Sequence, residues 1–223
     1  MTLDETLLNV PLFAELSEEQ IQRITVITRK KKYPKNSVIV FENDPGDSLY
    51  VVDSGQVKVV LTGEDGREVI LSVLSEGDFF GEMALIDDMP RSANVIAMEE
   101  SRLIVIYRDD FHRVLEDQPR IALGLLRAMS RRLRSADDKI GGLVLLDVPG
   151  RIARLLIELA DEGDGTKISR RITHHTIGQM VGSSRETVSR TIGNLSERGI
   201  LNVTRKYIEI IDRTGLEAAA GVR

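Results

Sequence analysis

Residues 177–190 read IGQMVGSSRETVSR. Gly182 sits between two stretches with helical spacing, and Ser184 stands where a new helix would start. Serine suits that place because its oxygen accepts from backbone N–H groups the first helical turn leaves open. Working outward, THHTIGQMVG (173–182) supplies one helix and SRETVSRTIGNLSERG (184–199) a second. Two helices joined by so short a turn form the helix-turn-helix pattern. ILNVTRK (200–206) and YIEIID (207–212) then read as a small hairpin, a wing beside the pair. Upstream, GRIARLLIELADEG (150–163) is an amphipathic helix ending at Gly163.

In this motif the start of the second helix enters the major groove of DNA. Arg185, Glu186, Ser189 and Arg190 occupy its first two turns. Arginine bonds guanine O6 and N7 with both arms of its fork, and glutamate accepts from cytosine N4. Thr173, Ser183, Ser184 and Thr187 lie at the helix ends and complete the candidate DNA-binding set. His174 and His175, at the start of the first helix, are either phosphate contacts or exposed caps. The local charge agrees. Between Gly165 and Arg213 there are 9 Lys and Arg against 4 Asp and Glu, a balance of +5. Phosphates attract such a surface whatever the base sequence.

The whole chain of 223 residues carries a net charge of -5, so the basic part is hidden in the total. Residues 1–147 hold 18 Lys and Arg and 26 Asp and Glu; residues 148–223 hold 12 and 9. There is no Cys, which excludes disulfides and Cys-ligated clusters and suits a reducing compartment. The acidic start MTLDETLLNV lacks a basic-then-apolar signal pattern, and no apolar run approaches the roughly 20 residues of a membrane helix. A cytoplasmic protein, with no membrane partner and no metal, is expected. No nucleophile–base pair, metal spacing or Walker loop points to an enzyme.

Between residues 37 and 107 the pattern is β. The runs SVIVF, SLYVVD, QVKVVL, EVILSVL, SANVIAM and RLIVIY are separated by NDPGD, DSG, GEDG and SEGD. Short β-branched runs with Gly, Pro and Asp turns predict an antiparallel barrel or jelly roll. Before it, SEEQIQRITVIT (17–28) opens with a capping box, Ser17 and Gln20. RKKK (29–32) reads as a solvated face, or as a contact to RNA polymerase. After it, Ala122, Leu126, Met129, Leu133, Ala136, Ile140 and Leu143 are spaced 4, 3, 4, 3, 4, 3. That is a heptad seam, and it predicts a homodimer through a helix over 119–146. Gly141 and Gly142 weaken its end. In LDVPGR (146–151), Asp147 can cap a new helix whose first turn tolerates Pro149. The expected organisation is α+β: a jelly-roll domain (1–118), the dimerisation helix (119–146) and a winged helix-turn-helix domain (147–223).

In this order, the elements resemble the cyclic AMP receptor protein and FNR-type regulators of bacterial transcription. FGEMALIDDMPRSA, LDVPGRIA and IGQMVGSSRETVSR carry the likeness. It implies that FFGEMALIDDMPRSANV (79–95) is a phosphate-binding cassette for a cyclic nucleotide. Backbone N–H groups around Gly81 approach an anion. Glu82 accepts from the ribose 2′-hydroxyl, Arg91 neutralises the cyclic phosphate and Ser92 adds a donor. Met83, Ala84 and Leu85 close the inner wall.

The likeness has a departure. Cyclic AMP-responsive members hold adenine with a Thr-Ser pair on the seam helix, where this chain has Ala136 and Asp137. Ala136 has nothing to bond the exocyclic amine, whereas Asp137 can accept from it. The implied effector is cyclic AMP or another cyclic nucleotide. The alternative is a regulator of the same family that binds DNA without ligand. The likeness also implies a palindromic operator with TGTGA-like half-sites and contact with RNA polymerase, as in an activator.

Overall fold

The computed structural model describes residues 3–168, 172–204 and 207–221. Of the basic residues counted above, Arg170, Arg171, Arg205, Lys206 and Arg223 lie outside them. The chain divides into two compact units, Met1–Leu133 and Arg134–Arg223.

The first unit opens with α1 (Leu3–Leu8) and α2 (Glu18–Ile27). Ser17 and Gln20 form the expected capping box, each side chain meeting the other's backbone N–H. Eight strands follow: β1 (Arg29–Tyr33), β2 (Val38–Val40), β3 (Ser48–Ser54), β4 (Val57–Thr62), β5 (Glu68–Leu74), β6 (Phe79–Phe80), β7 (Asn94–Ala97) and β8 (Ser101–Tyr107). They make two four-stranded sheets, ordered β1-β8-β3-β6 and β2-β7-β4-β5, with every pairing antiparallel. This is the jelly roll the turn spacing predicts.

Alternation explains why β3 and β8 read as unbroken apolar runs. Tyr50, Val52, Leu103 and Val105 face the other sheet, joining Val40, Val57, Leu74 and Val95. Leu49, Val51, Ile104 and Ile106 point the other way and pack with residues of α1, α2 and the helices that follow β8. Both faces of this sheet are therefore covered.

RKKK is exposed, but it belongs to a strand: β1 pairs with β8 from Arg29↔Val105 to Tyr33↔Ser101. Lys30 bonds the buried Asp53 carboxylate, which also takes Thr6 Oγ1 and lies 3.3 Å from Arg102 Nε. Arg29 and Lys31 lie over the Tyr107 ring.

A four-residue helix, α3 (Met83–Ile86), interrupts the sheets; α4 (Arg108–Asp117) and α5 (Pro119–Leu145) follow them. Ile121, Leu125 and Ala128 of α5 are buried in the first unit's core. The seam residues Leu126, Leu133, Ile140 and Leu143 lie on another face, each 57–64 % exposed. One helix thus has two apolar faces, of which only one is covered here. Gly141 and Gly142 do not end it, since α5 runs to Leu145.

In the second unit, Asp147 caps α6 (Val148–Asp161), its carboxylate accepting from Gly150 N–H at 2.8 Å, with Pro149 in the first turn. Next come β9 (Lys167–Ile168), α7 (His174–Val181), α8 (Arg185–Glu197), β10 (Leu201–Val203), β11 (Ile208–Ile210) and α9 (Arg213–Ala219). The expected hairpin is β10–β11, and β9 adds a third strand to it. Ile177, Val181, Val188, Ile192 and Leu195 pack with Ile152 and Leu156 in one core. No helix among the described residues is long and apolar enough to cross a membrane.

Candidate functional site

β6 brings the cassette against β3, with Phe80 opposite Tyr50. Their rings stack at 4.9 Å between centroids. The chain then turns sharply at Gly81, whose φ is +87°. A Cβ there would lie 2.5 Å from Arg91 Nη1 and 2.8 Å from Ser48 O, so only glycine fits. The close approach that requires glycine is made here by Arg91 and the Ser48 carbonyl.

Glu82 is the residue before α3 and is 2 % exposed. Its Oε1 accepts from Arg132 Nη1 at 2.6 Å. Its Oε2 is buried and has no hydrogen-bond partner. Arg91 is 5 % exposed. Its Nη1 donates to Gly81 O and its Nη2 to Ser48 O, both at 2.8 Å. The guanidinium lies 5.8 Å from the Tyr50 ring centre. Desolvation pulls its pKa below the ordinary value, opposed by Tyr50, Asp47 and Glu82. It keeps its charge all the same, since an arginine does not deprotonate in a protein.

Ala84 and Leu85 are buried, as an inner wall requires, but Met83 is not. It is 48 % exposed, because α3 turns only its middle residues inward and leaves Met83 and Ile86 outside. Ser92 is exposed, with its hydroxyl 3.8 Å from Met83 Sδ.

A buried carboxylate oxygen with no donor is a place for a ligand hydroxyl. A guanidinium has more N–H groups than two carbonyls use, so Arg91 retains donors for an anion. Arg91 lies over Tyr50, which stacks on Phe80 in an apolar cluster that also holds Val52 and Leu103. A flat apolar group carrying a hydroxyl and a negative charge suits this chemistry. The nucleotide that the sequence implies has all three.

Arg132 is the contact of the candidate site that the sequence reading missed. It ties Glu82 to α5, donates to Phe79 O and lies 4.7 Å from the Phe79 ring centre. In the sequence it is one charge among several on the polar faces of α5. Ala136 and Asp137 are both exposed and belong to the second unit.

In that unit, α7 and α8 meet closely. Gly182 caps α7 with φ +66°, and a Cβ on Gly178 would come within 2.6 Å of Ser183 O. The two glycines make the tight turn possible. Thr173 and Ser184 cap the two helices, accepting from Thr176 N–H and Thr187 N–H. Thr173, Ser184, Arg185, Glu186, Ser189 and Arg190 are exposed, while Ser183 and Thr187 are half-buried. Its own backbone N–H and the Ser184 hydroxyl hold the Glu186 carboxyl below its ordinary pKa, so it is an ionised acceptor at neutral pH. His174 and His175 share a cleft with Thr173 and Arg185. Arg151, unremarked in the sequence, donates to Leu146 O at 2.9 Å and Val181 O at 3.0 Å, tying the start of α6 to the end of α7. Among the described residues no cluster of His, Asp or Glu is arranged to hold a metal.

Residues 30–118 match the cyclic nucleotide-binding domain family, and residues 150–219 match the Crp-like helix-turn-helix domain family. The CRP-like cAMP-activated global transcriptional regulator of Mycobacterium tuberculosis is 32 % identical over 223 residues, covering 98 % of this chain and 100 % of that protein. The cyclic AMP receptor protein of Thermus thermophilus is 33 % identical, over 94 % of this chain and 96 % of its own length. Among solved structures, the c-di-GMP responsive global regulator CLP of Xanthomonas campestris is similar with a TM-score of 0.77 at 27 % identity, covering 88 % of this chain and 100 % of that one. The Thermus thermophilus catabolite activator protein gives 0.56 at 33 %, covering 96 % and 100 %. With both domain families matched in order and relatives aligned nearly end to end, this chain belongs to the CRP/FNR family of DNA-binding transcription regulators.

Proposed function

We propose that this regulator is a homodimer whose operator affinity is set by a cyclic nucleotide in the jelly roll. The observation that carries the reading is the orphaned Oε2 of Glu82, beside a buried Arg91. Ribose 2′-hydroxyl donates to the first, and the cyclic phosphate takes the spare N–H groups of the second. Cyclic AMP is the first candidate effector, given the names of the relatives above. The exposed Ala136 and Asp137 replace the Thr-Ser pair, so base recognition differs from that of the usual cyclic AMP responders.

Dimerisation runs through α5. Four large apolar side chains exposed at heptad spacing on one helix need a second copy to cover them. Two recognition helices then sit about 34 Å apart, which fits a palindromic operator with one half-site per subunit. Arg185, Glu186 and Arg190 read the half-site, with a TGTGA-like core expected. Thr173, Ser183, Ser184, Thr187 and Ser189 position the helix on the backbone. RNA polymerase is the further partner expected of an activator in this family.

The test is calorimetry with cyclic AMP, cyclic GMP and cyclic di-GMP, followed by operator binding with and without the nucleotide that binds. The expected result is binding that Arg91→Ala abolishes, together with tighter operator binding. Tight operator binding by the free protein, unchanged by every nucleotide, would establish the ligand-independent alternative.

A further inference from the structure

The cassette is also held at its far end, by α4. A helix of four residues has no internal donors for its last carbonyls. Asp87 N–H returns to Met83 O at 3.0 Å. The next two carbonyls are met by side chains of α4. Arg108 Nη2 donates to Ala84 O at 2.7 Å, and His112 Nε2 lies 2.9 Å from Leu85 O. A carbonyl only accepts, so that imidazole nitrogen carries the hydrogen. Arg108 Nη2 also reaches Gly46 O at 2.6 Å, and its Nη1 pairs with Asp88. Arg108 and His112 are four residues apart and leave α4 from the same face.

Leu85 and Phe111 share one buried cluster. Apolar contact of that kind resists separation but allows sliding. Hydrogen bonds to two successive carbonyls are directional and fix both the register and the tilt of α3 on α4. α4 ends at Asp117 and α5 begins at Pro119, so a single residue separates them. Gln118 N–H returns to Val114 O at 2.9 Å, which keeps that joint closed.

We propose that Arg108 and His112 are positioning residues that make α3 and α4 move as one body. A displacement of the cassette is thereby delivered to the first turns of α5. Neither residue is required to touch the effector. The role in regulation rests on the cassette being an effector site; the mechanical link does not.

Hydrogen–deuterium exchange on the full, ligand-free chain tests the link. Arg108→Met and His112→Leu are expected to raise exchange about tenfold over residues 83–88, and in parallel over 109–125. His112→Gln, which keeps an N–H near the Nε2 position, is expected to stay close to the parent protein. Strand amides at 49–52 and 103–106 report global opening and are expected to stay unchanged. If 83–88 loosens alone, or the strands loosen equally, the pair is a local brace or a fold support, and the proposal is wrong.

The second arm measures operator affinity with and without the nucleotide that the parent protein binds. Arg108→Met is expected to cut the nucleotide-induced gain at least tenfold, with nucleotide affinity within about threefold of the parent. An unchanged gain overturns the proposal. If the parent protein binds no cyclic nucleotide, the effector reading fails, and the exchange result alone decides whether α3 and α4 are linked.

Discussion

Arg91 and Arg185 place the same side chain in opposite surroundings. Arg91 is 5 % exposed and donates to two backbone carbonyls of its own chain. Arg185 is exposed at the first position of α8 and, among the described residues, has no hydrogen-bonded or ion-paired partner. The acidic residues of the two sites differ in the same way. Glu82 is buried against Arg132, whereas Glu186 stands in solvent. A ligand entering the first site displaces or joins bonds the fold already uses, so binding there is coupled to stability. A ligand meeting Arg185 in the second site finds an exposed side chain, and only the capping hydroxyls of Thr173 and Ser184 there also serve the fold.

The contrast can be broken at three arginines. Arg132→Met leaves the Glu82 carboxylate buried without its cation, at an expected cost of about 3 kcal/mol in urea unfolding. Adding Glu82→Gln to that variant should recover most of the loss. Arg91→Met removes the donors of two carbonyls and should cost about 2 kcal/mol, with nucleotide binding lost in the same protein. Arg185→Ala should cost about 1 to 3 kcal/mol of binding at one base pair, with folding stability changed by less than about 0.5 kcal/mol. A large stability loss in Arg185→Ala, or none in Arg132→Met, would erase the distinction.

The smallest effect is alkaline. Burial, then Tyr50 and Tyr107, push the Tyr33 hydroxyl up to about 12. The unfolded chain loses that proton near pH 10, before the folded one does. The contribution of Tyr33 to stability is therefore complete below about pH 10 and lost as the pH rises toward 12. A spectrophotometric titration should show a late phase for Tyr33, absent from Tyr33→Phe.

The second unit is the more legible of the two in the sequence. Ser184, Gly182 and the apolar spacing of α7 and α8 are local signals, and the structure uses each of them locally. The jelly roll is legible where turns and β-branched runs mark it. It is not where pairing alone makes the strand. All but the last residue of β1 are exposed, so it has no apolar alternation, and it is a strand because β8 lies beside it. β6 and β9 have two residues each, too few for any period. In the cassette, the types and order of Gly81, Glu82 and Arg91 are readable. Their partners are not, because Arg132 and Ser48 come from 50 and 43 residues away.

Gly46 and Ala84 meet in the first unit, where a Cβ on Gly46 would collide with the Ala84 methyl. The space between them holds one methyl group. In a library randomising both positions, alanine at 46 should survive only with glycine at 84. Evolution at this spot is therefore a matter of order: the helix has to give up its carbon before the loop can gain one.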